Sequence, residues 1–321
     1  MGDRDQGDRS NHVTLVILGV IFFVLFLILL FAWIYYQKTM RSTYVPQTEY
    51  FKDRDEKDEK DEKDEKDKDK DKNKNKNKDN NDASIMTYNI QKFPWSAKTF
   101  STLRSICKQH SIILLQECYD ETFSALEINF PDYYICRGTL QGINLMNSGL
   151  VILSRYPIKK SLFLPYKQCN PLTFDRFAEK GFLIAWISIN GKNIQVINTH
   201  LQSADYDKYD PYAFVQIDEL FEYVEYVGGP FVIGGDFNID VSYMKKRYMP
   251  SEQQLHLYHP SSPTIYIDFK TGHSQYNKQL GYEGLIFDYF FTSKDIRLSS
   301  PVTAESPYSD HNAVETYVVM S

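Results

Sequence analysis

Phe231-Val232-Ile233-Gly234-Gly235-Asp236-Phe237-Asn238 is a short apolar run that stops on two polar side chains. A run this short, flanked by turn-forming residues, reads as a buried strand rather than a helix. A carboxylate and an amide at its end lie where a sheet meets solvent, either as turn formers or as parts of a site. The same construction recurs on both sides of it. Residues 84–90 (SIMTYNI), 111–117 (SIILLQE), 149–156 (GLVILSRY), 182–189 (FLIAWISI), 194–201 (IQVINTHL), 285–291 (LIFDYFF) and 314–320 (VETYVVM) are further strand-like runs. Helical spacing is found over 97–110 and over 211–227, where Phe214, Ile217, Leu220, Phe221 and Val224 fall on one face. Many strands with few helices between them predict an α/β protein rich in antiparallel sheet.

Polar residues cluster at the ends of these runs. Asn89 closes the first strand and Glu117 the second. His200 ends IQVINTH, and Asp236 and Asn238 end the central run. Asp288 lies within LIFDYFF, while Asp310 and His311 precede the last strand. One such residue alone is usually a surface or turn residue. Eight of them in series call for a common explanation.

Composition bounds the rest. The chain has 321 residues, 36 Lys+Arg, 42 Asp+Glu and a net charge of −6. Residues 83–321 form a stretch long enough for one sizeable core, and the 24 Tyr and 21 Phe of the chain supply material for it. Their net charge of −4 gives no support to a strongly basic nucleic-acid-binding protein. Four Cys exclude a disulfide-dense scaffold, and no CxxC pair suggests structural zinc.

The N-terminal part is of another kind. Residues 13–36 (VTLVILGVIFFVLFLILLFAWIYY) carry no charge. At ~1.5 Å per residue this run spans a hydrocarbon core of about 30 Å, with Trp33, Tyr35 and Tyr36 placed for an interfacial belt. A cleaved signal peptide fits less well, because the run exceeds about 7–15 residues and no small-x-small cleavage site follows. The expectation is a single-pass membrane protein, anchored in the lipid bilayer by this helix. Arg4 and Arg9 before the run, against Lys38, Arg41, Lys52 and Arg54 after it, put the C-terminal side in the cytoplasm. Residues 52–82 repeat Asp-Glu-Lys, then Asp-Lys and Asn-Lys, with no apolar residue to fold around, and read as a disordered charged linker. The expected organisation is an N-terminal tail (1–12), a transmembrane helix (13–36), a juxtamembrane segment (37–51), the linker (52–82) and a catalytic domain (83–321).

Seven pieces of this last segment, in order, carry a resemblance. They are Tyr88-Asn89-Ile90, Leu115-Gln116-Glu117, Ser148-Gly149-Leu150 with Ser154-Arg155-Tyr156-Pro157, Asn198-Thr199-His200-Leu201, Gly235-Asp236-Phe237-Asn238, Phe287-Asp288-Tyr289, and Ser309-Asp310-His311. Together they resemble the endonuclease/exonuclease/phosphatase superfamily of metal-dependent phosphodiesterases. The resemblance implies a four-layered α/β sandwich, two mixed β-sheets packed face to face with helices outside and the site at one edge. It implies Mg²⁺, or Mn²⁺, held by Glu117 with Asn89 and Asp310. His311 would be the general base for the attacking water, with Asp288 holding its ring. Asp236 and Asn238 would position the water and a phosphoryl oxygen, and Asp236 would also lie near a second ion. His200 would donate to the phosphoryl group or assist the leaving group. Such residues suit phosphodiester hydrolysis, which needs charge neutralisation, an activated water and leaving-group help.

Two substrate classes fit the same site. Asn198-Thr199-His200-Leu201-Gln202-Ser203, followed by Gln216-Ile217-Asp218-Glu219-Leu220, resembles the neutral sphingomyelinase branch, as does the strand start Lys180-Gly181-Phe182. That branch implies a phospholipid such as sphingomyelin. A DNA or RNA nuclease would use the same residues, and a binding module that has lost catalysis would lack some of them. No partner protein is implied. The remaining histidines (His12, His110, His256, His259, His273) match no motif and read as surface or structural residues; Cys118, which follows Glu117 in an apolar context, reads as a buried free thiol rather than a nucleophile, and Cys107, Cys136 and Cys169 have no assigned role. The tyrosines at 206, 209 and 212 read either as a substrate wall or as part of the general Tyr bias.

Overall fold

The computed structural model describes residues 18, 23–27, 83–93, 96–119, 123–140, 144–189, 191–204, 209–248 and 255–319. The chain divides into two compact units, Met1–Pro46 and Gln47–Ser321. In the first, residues 18 and 23–27 are helical. The expectation of a single-pass membrane protein is corrected here: among the described residues no helix is long and apolar enough to cross a membrane. A spanning helix needs roughly 20 apolar residues, and of residues 13–36 only the short helical pieces just named belong to the description. The cytoplasmic placement rested on that helix and goes with it. The tail (1–12), the juxtamembrane segment (37–51) and the linker (52–82) lie outside the described residues.

The second unit contains strands β1 (Ala83–Lys92), β2 (Ile112–Cys118), β3 (Tyr134–Arg137), β4 (Val151–Ser154), β5 (Ile158–Pro165), β6 (Gly181–Ile189), β7 (Lys192–His200) and β8 (Phe231–Asp236). These are followed by β9 (Leu255–Tyr258), β10 (Ile265–Asp268), β11 (His273–Gln275), β12 (Glu283–Leu285), β13 (Asp288–Ser293), β14 (Arg297–Leu298), β15 (Val302–Ala304) and β16 (Ala313–Val319). The helices are α1 (Phe100–Cys107), α2 (Phe123–Asn129), α3 (Pro211–Val227) and α4 (Val241–Tyr248). One sheet runs β14-β16-β1-β2-β4-β3 with β15 on β16, and the other β5-β6-β7-β8-β13-β9. Each is mixed through one central parallel pair, β1 with β2 and β7 with β8.

Alternation along the strands builds the layers. Ile85, Ile112, Leu114 and Val314 of the first sheet meet Leu183, Ala185, Val196, Val232 and Phe290 of the second in one buried cluster. The opposite faces are apolar as well. Met86, Tyr88, Ile113 and Leu115 pack on Phe100, Leu103 and Cys107 of α1. Ile184, Ile197, Ile233 and Phe291 pack on Ile217 and Leu220 of α3 and Met244 of α4. Strands buried on both faces read as continuous apolar runs, and three apolar layers between four structural ones give the expected sandwich. Each such side chain contributes about 1.5–3 kcal/mol by leaving water.

Local signals set the helix ends. Asp210 caps α3 by accepting from Tyr212 N, Pro211 opens the first turn, and Gly228 closes it at φ +67°. The other helix is shorter than its spacing predicts. Thr99 accepts from Thr102 N and starts it at Phe100, and after Cys107 the chain turns, with His110 N donating to Cys107 O at 3.0 Å and buried His110 lying 3.1 Å from Glu315 Oε1. A third, three-stranded sheet, β11-β10-β12, is not announced by any apolar run.

Candidate active site

The carboxyl ends of β1, β2, β7 and β8 carry the polar residues that the apolar runs end on. Parallel pairing aligns His200 with Asp236, and antiparallel pairing sets Asp288 opposite Asp236. Three side chains from three strands thus share one level of the second sheet. In the first sheet Asn89 lies level with Gln116, one residue before Glu117. Beneath the site the two sheets are tied together. Gln116 Nε2 donates to Asn198 Oδ1 (2.7 Å), and Asn198 Nδ2 donates to the carbonyls of Leu115 (2.8 Å) and Val151 (2.9 Å).

Asp236 Oδ2 is the hub. Asn89 Nδ2 donates to it at 2.9 Å and to Glu117 Oε1 at 3.1 Å. His311 Nε2 lies 3.5 Å and His200 Nε2 3.6 Å from the same oxygen. His200 Nε2 is also 4.0 Å from Glu117 Oε1. On its other side His311 Nδ1 pairs with Asp288 Oδ2 at 2.8 Å. Asn238 holds the hub from behind: its N–H donates to Asp236 Oδ1 (2.9 Å) and its Nδ2 to Leu201 O (3.0 Å). Asp310 stands apart from these bonds. Its Oδ2 accepts from Ser274 Oγ (2.5 Å) and Gln91 Nε2 (3.4 Å), and its Oδ1 from Ser309 Oγ (3.2 Å).

Backbone strain gathers here. Gln91 (φ +45°), Glu117 (+51°) and Asn238 (+49°) are the non-glycine residues with positive φ among those described, and all flank the site. Each such conformation costs roughly 1–3 kcal/mol and persists because its surroundings impose it. Before the hub, Gly235 leaves no room for a side chain: a Cβ would fall 2.1 Å from Thr199 O.

The charges perturb one another. Burial, then the Asp310 charge, pushes Glu117 up to about 7. Burial and the nearby Lys180 charge pull His200 down to about 4, so it is neutral at pH 7. Burial alone would lower His311, but Asp288 and Asp236 outweigh it and hold the ring well above its ordinary value. Asp288 Oδ1 is buried and has no hydrogen-bond partner. The buried carboxylates of Asp236 and Asp288, the latter with an unpartnered oxygen, and the raised carboxyl of Glu117 suit a hard divalent cation, which takes oxygen ligands. Ligand atoms of Asp236, Asp288 and His311 lie within 4.8 Å of one another and could together hold an ion; Glu117 and Asp310 flank that trio.

Several contributing residues lie outside the seven motif pieces. Lys180, buried at the head of β6, pairs with Asp175 Oδ2 (3.0 Å) and donates to Leu201 O (3.1 Å), next to His200. Asp175 also accepts from Ser203 N and Oγ, each at 2.8 Å, and from Gln202 Nε2 at 3.2 Å. Burial opposes its charge, yet Lys180, His200 and the Ser203 donors hold Asp175 at about 2. The strand start Lys180-Gly181-Phe182 marked Lys180 in the sequence, without a role; Asp175, in a short 3-10 turn (Phe174–Phe177), had no signal. Lys98 Nζ donates to the carbonyls of Ile90 (3.0 Å) and Gln91 (3.1 Å), beneath the bend that follows Asn89. Of the three tyrosines, Tyr209 packs edge-on to Phe214 and Tyr243 with centroids at 5.0 and 4.9 Å, as core material. Tyr206 lies outside the described residues.

Comparison with known proteins agrees with this geometry. The model of a family described as "Endonuclease/Exonuclease/phosphatase family" matches residues 86–311. A phospholipase C of Staphylococcus aureus is 27% identical over 203 residues, covering 53% of this chain and 60% of that protein. A putative neutral sphingomyelinase of Drosophila melanogaster is 26% identical over 182 residues, covering 50% of this chain and 41% of that protein. The chain therefore spans less than two thirds of the length of either relative. A crystal structure of a mutant beta toxin from Staphylococcus aureus with bound magnesium ions superposes with a TM-score of 0.55 at 21% identity, covering 74% of this chain and 99% of that one. At that identity the likeness speaks for the fold.

Proposed function

The chain belongs to the endonuclease/exonuclease/phosphatase family, and from that premise we propose that it is a metal-dependent phosphodiester hydrolase acting on a phospholipid of the sphingomyelin class. The observation that carries the reading is the hub at Asp236 Oδ2, where Asn89, His200 and His311 converge within 2.9–3.6 Å.

The residues divide the work. His311 acts in its neutral form, which its raised pKa places on the alkaline side of the ordinary imidazole range: it takes a proton from the attacking water at Nε2, while its Nδ1–H is held by Asp288 Oδ2 at 2.8 Å. The carboxylates facing His311 stabilise the imidazolium that results. Asp236 orients the water beside Nε2, and Asn238 fixes Asp236. His200, neutral at pH 7, donates from Nε2 to a phosphoryl oxygen as its negative charge grows. Glu117 and Asp310 would hold Mg²⁺ or Mn²⁺; Asn89, expected as a third ligand, instead turns its amide N–H to Glu117 and Asp236, with its oxygen bonded to Gln91 N, and so orients those carboxylates. Bound there, the ion would offset the carboxylate charge and act as a Lewis acid on the phosphoryl group.

The lipid reading draws support from Asn198-Thr199-His200-Leu201-Gln202-Ser203 and from relatives described as a phospholipase C and a putative neutral sphingomyelinase. The net charge of −4 over residues 83–321 favours it over a polynucleotide, whose binding rests largely on phosphate neutralisation. The test is hydrolysis by the full chain with Mg²⁺ of sphingomyelin vesicles, DNA and RNA in parallel. Phosphocholine release from the vesicles is expected. Cleavage of DNA or RNA with intact sphingomyelin would overturn the lipid assignment and leave the hydrolase.

A further inference from the structure

The small sheet β10–β12 attaches to the chain on both sides of His311. Ser274 Oγ, on β11, donates to Asp310 Oδ2 at 2.5 Å, immediately before the histidine. Immediately after it, Asn312 Nδ2 donates to Tyr276 O at 2.7 Å and Asn312 N to Thr264 O at 2.7 Å. Thr264, at the head of β10, reaches the other half of the dyad: its Oγ1 accepts from Phe287 N (3.0 Å) and Asp288 N (3.3 Å). Thr264 is fully buried and Asn312 2% exposed, so these contacts are not surface decoration. The sheet also runs directly into the site, since β12 ends at Leu285 and Asp288 opens β13.

We infer that this sheet is a positioning arm for the active site, in which Ser274 fixes the Asp310 carboxylate toward the cation. The inference rests on the hydrolase reading above and adds a residue to it. A hydroxyl donating to a carboxylate at this distance is a charge-assisted bond of the strong kind. It occupies one lone pair of Oδ2 and sets the rotation of the carboxyl plane. Gln91 Nε2 reaches the same oxygen only at 3.4 Å, so Ser274 is the dominant restraint. Ser309, on Oδ1 at 3.2 Å, is the neighbouring residue in the same loop. Ser274 ties Asp310 to β11, and the longer bond from Gln91 ties it more weakly to β1. Groups that hold metal-binding carboxylates typically govern affinity and rate by about 10–100-fold.

The experiment measures Mg²⁺ binding to the full chain by titration calorimetry, and kcat and KM on a soluble phosphodiester, for wild type, Ser274→Ala, Ser274→Thr and Thr271→Ala. Thr271 bonds Asp268 within the arm at 2.8 Å and serves as a control for local loosening. Ser274→Ala is expected to weaken Mg²⁺ binding and to lower kcat by about tenfold or more, with KM little changed. Ser274→Thr, which keeps the hydroxyl, should restore both, and Thr271→Ala should match wild type. Mg²⁺ affinity in Ser274→Ala equal to wild type, or an equal loss in Thr271→Ala, would overturn the arm while leaving the hydrolase reading intact. Wild type that binds no Mg²⁺ would instead overturn the hydrolase reading, and the arm with it.

Discussion

Glu117 keeps a strained backbone (φ +51°) and a carboxyl raised to about 7 by burial and the Asp310 charge. Both costs make sense for a group that waits for a positive charge. Glu117→Gln preserves shape and removes that charge, so Mg²⁺-dependent turnover should fall on the order of 10²-fold with an unchanged melting temperature. Retained activity would remove Glu117 from the site. His311→Ala should cost about 10²–10⁴ in kcat, the usual range for a general base. Asp288→Asn, which leaves the imidazole present but poorly held, should cost less; kinetics on one soluble substrate ranks the two. The positions of these residues were legible because each polar side chain interrupts or ends an apolar run. Their bonding was not. Nothing in the sequence says that Asn89 turns its N–H, rather than its oxygen, toward Glu117 and Asp236, since that choice follows from Gln91 N occupying Oδ1 at 3.1 Å.

At the scale of elements, the ends of β6 and β7 are held by charge buried behind the site. Lys180 is 2% exposed and its partner Asp175 sits at about 2, below the usual 3.8. A carboxylate depressed on folding stabilises the protein above its unfolded value and ceases to do so as pH falls through the folded one. This pair should therefore contribute about 2–3 kcal/mol at neutral pH, lost between about pH 4 and pH 2. Lys180→Met leaves Asp175 buried without its cation. It should destabilise the protein by about 3–5 kcal/mol at pH 7, with a smaller loss near pH 2, where Asp175 of the wild type is already about half protonated. Denaturant melts at the two pH values check this, and an equal loss at both would assign the effect to packing. Such a pair is hidden from sequence patterns because Asp175 lies in a turn without periodicity. The β10–β12 sheet escaped for a related reason: its strands are three or four residues long and only partly buried, so neither an apolar run nor clean alternation marks them. The two-faced strands of the sandwich were legible because burial on both sides leaves continuous apolar runs.

For the whole molecule, two central parallel pairs, one in each packed sheet, bring Asn89, Glu117, His200 and Asp236 to one edge of the sandwich; antiparallel β13 adds Asp288, which holds His311, Asn238 bonds Asp236, and Asp310 is held by Ser274, Gln91 and Ser309. The layer arrangement could be anticipated from the order of runs and motifs. The apolar run at 13–36 predicts a spanning helix, but among the described residues no helix is long and apolar enough to cross a membrane. Removing divalent ions should abolish turnover while leaving the sandwich folded, since the core clusters hold it without metal; circular dichroism in chelator, with activity restored by added Mg²⁺, checks this. The most direct measurement is hydrolysis of bis(p-nitrophenyl) phosphate by the full chain and by His311→Ala, each with Mg²⁺ and with chelator. Turnover only in wild type with Mg²⁺ is the predicted result; equal turnover in the two proteins, or undiminished turnover in chelator, would contradict a metal-dependent hydrolase centred on Asp236 and His311.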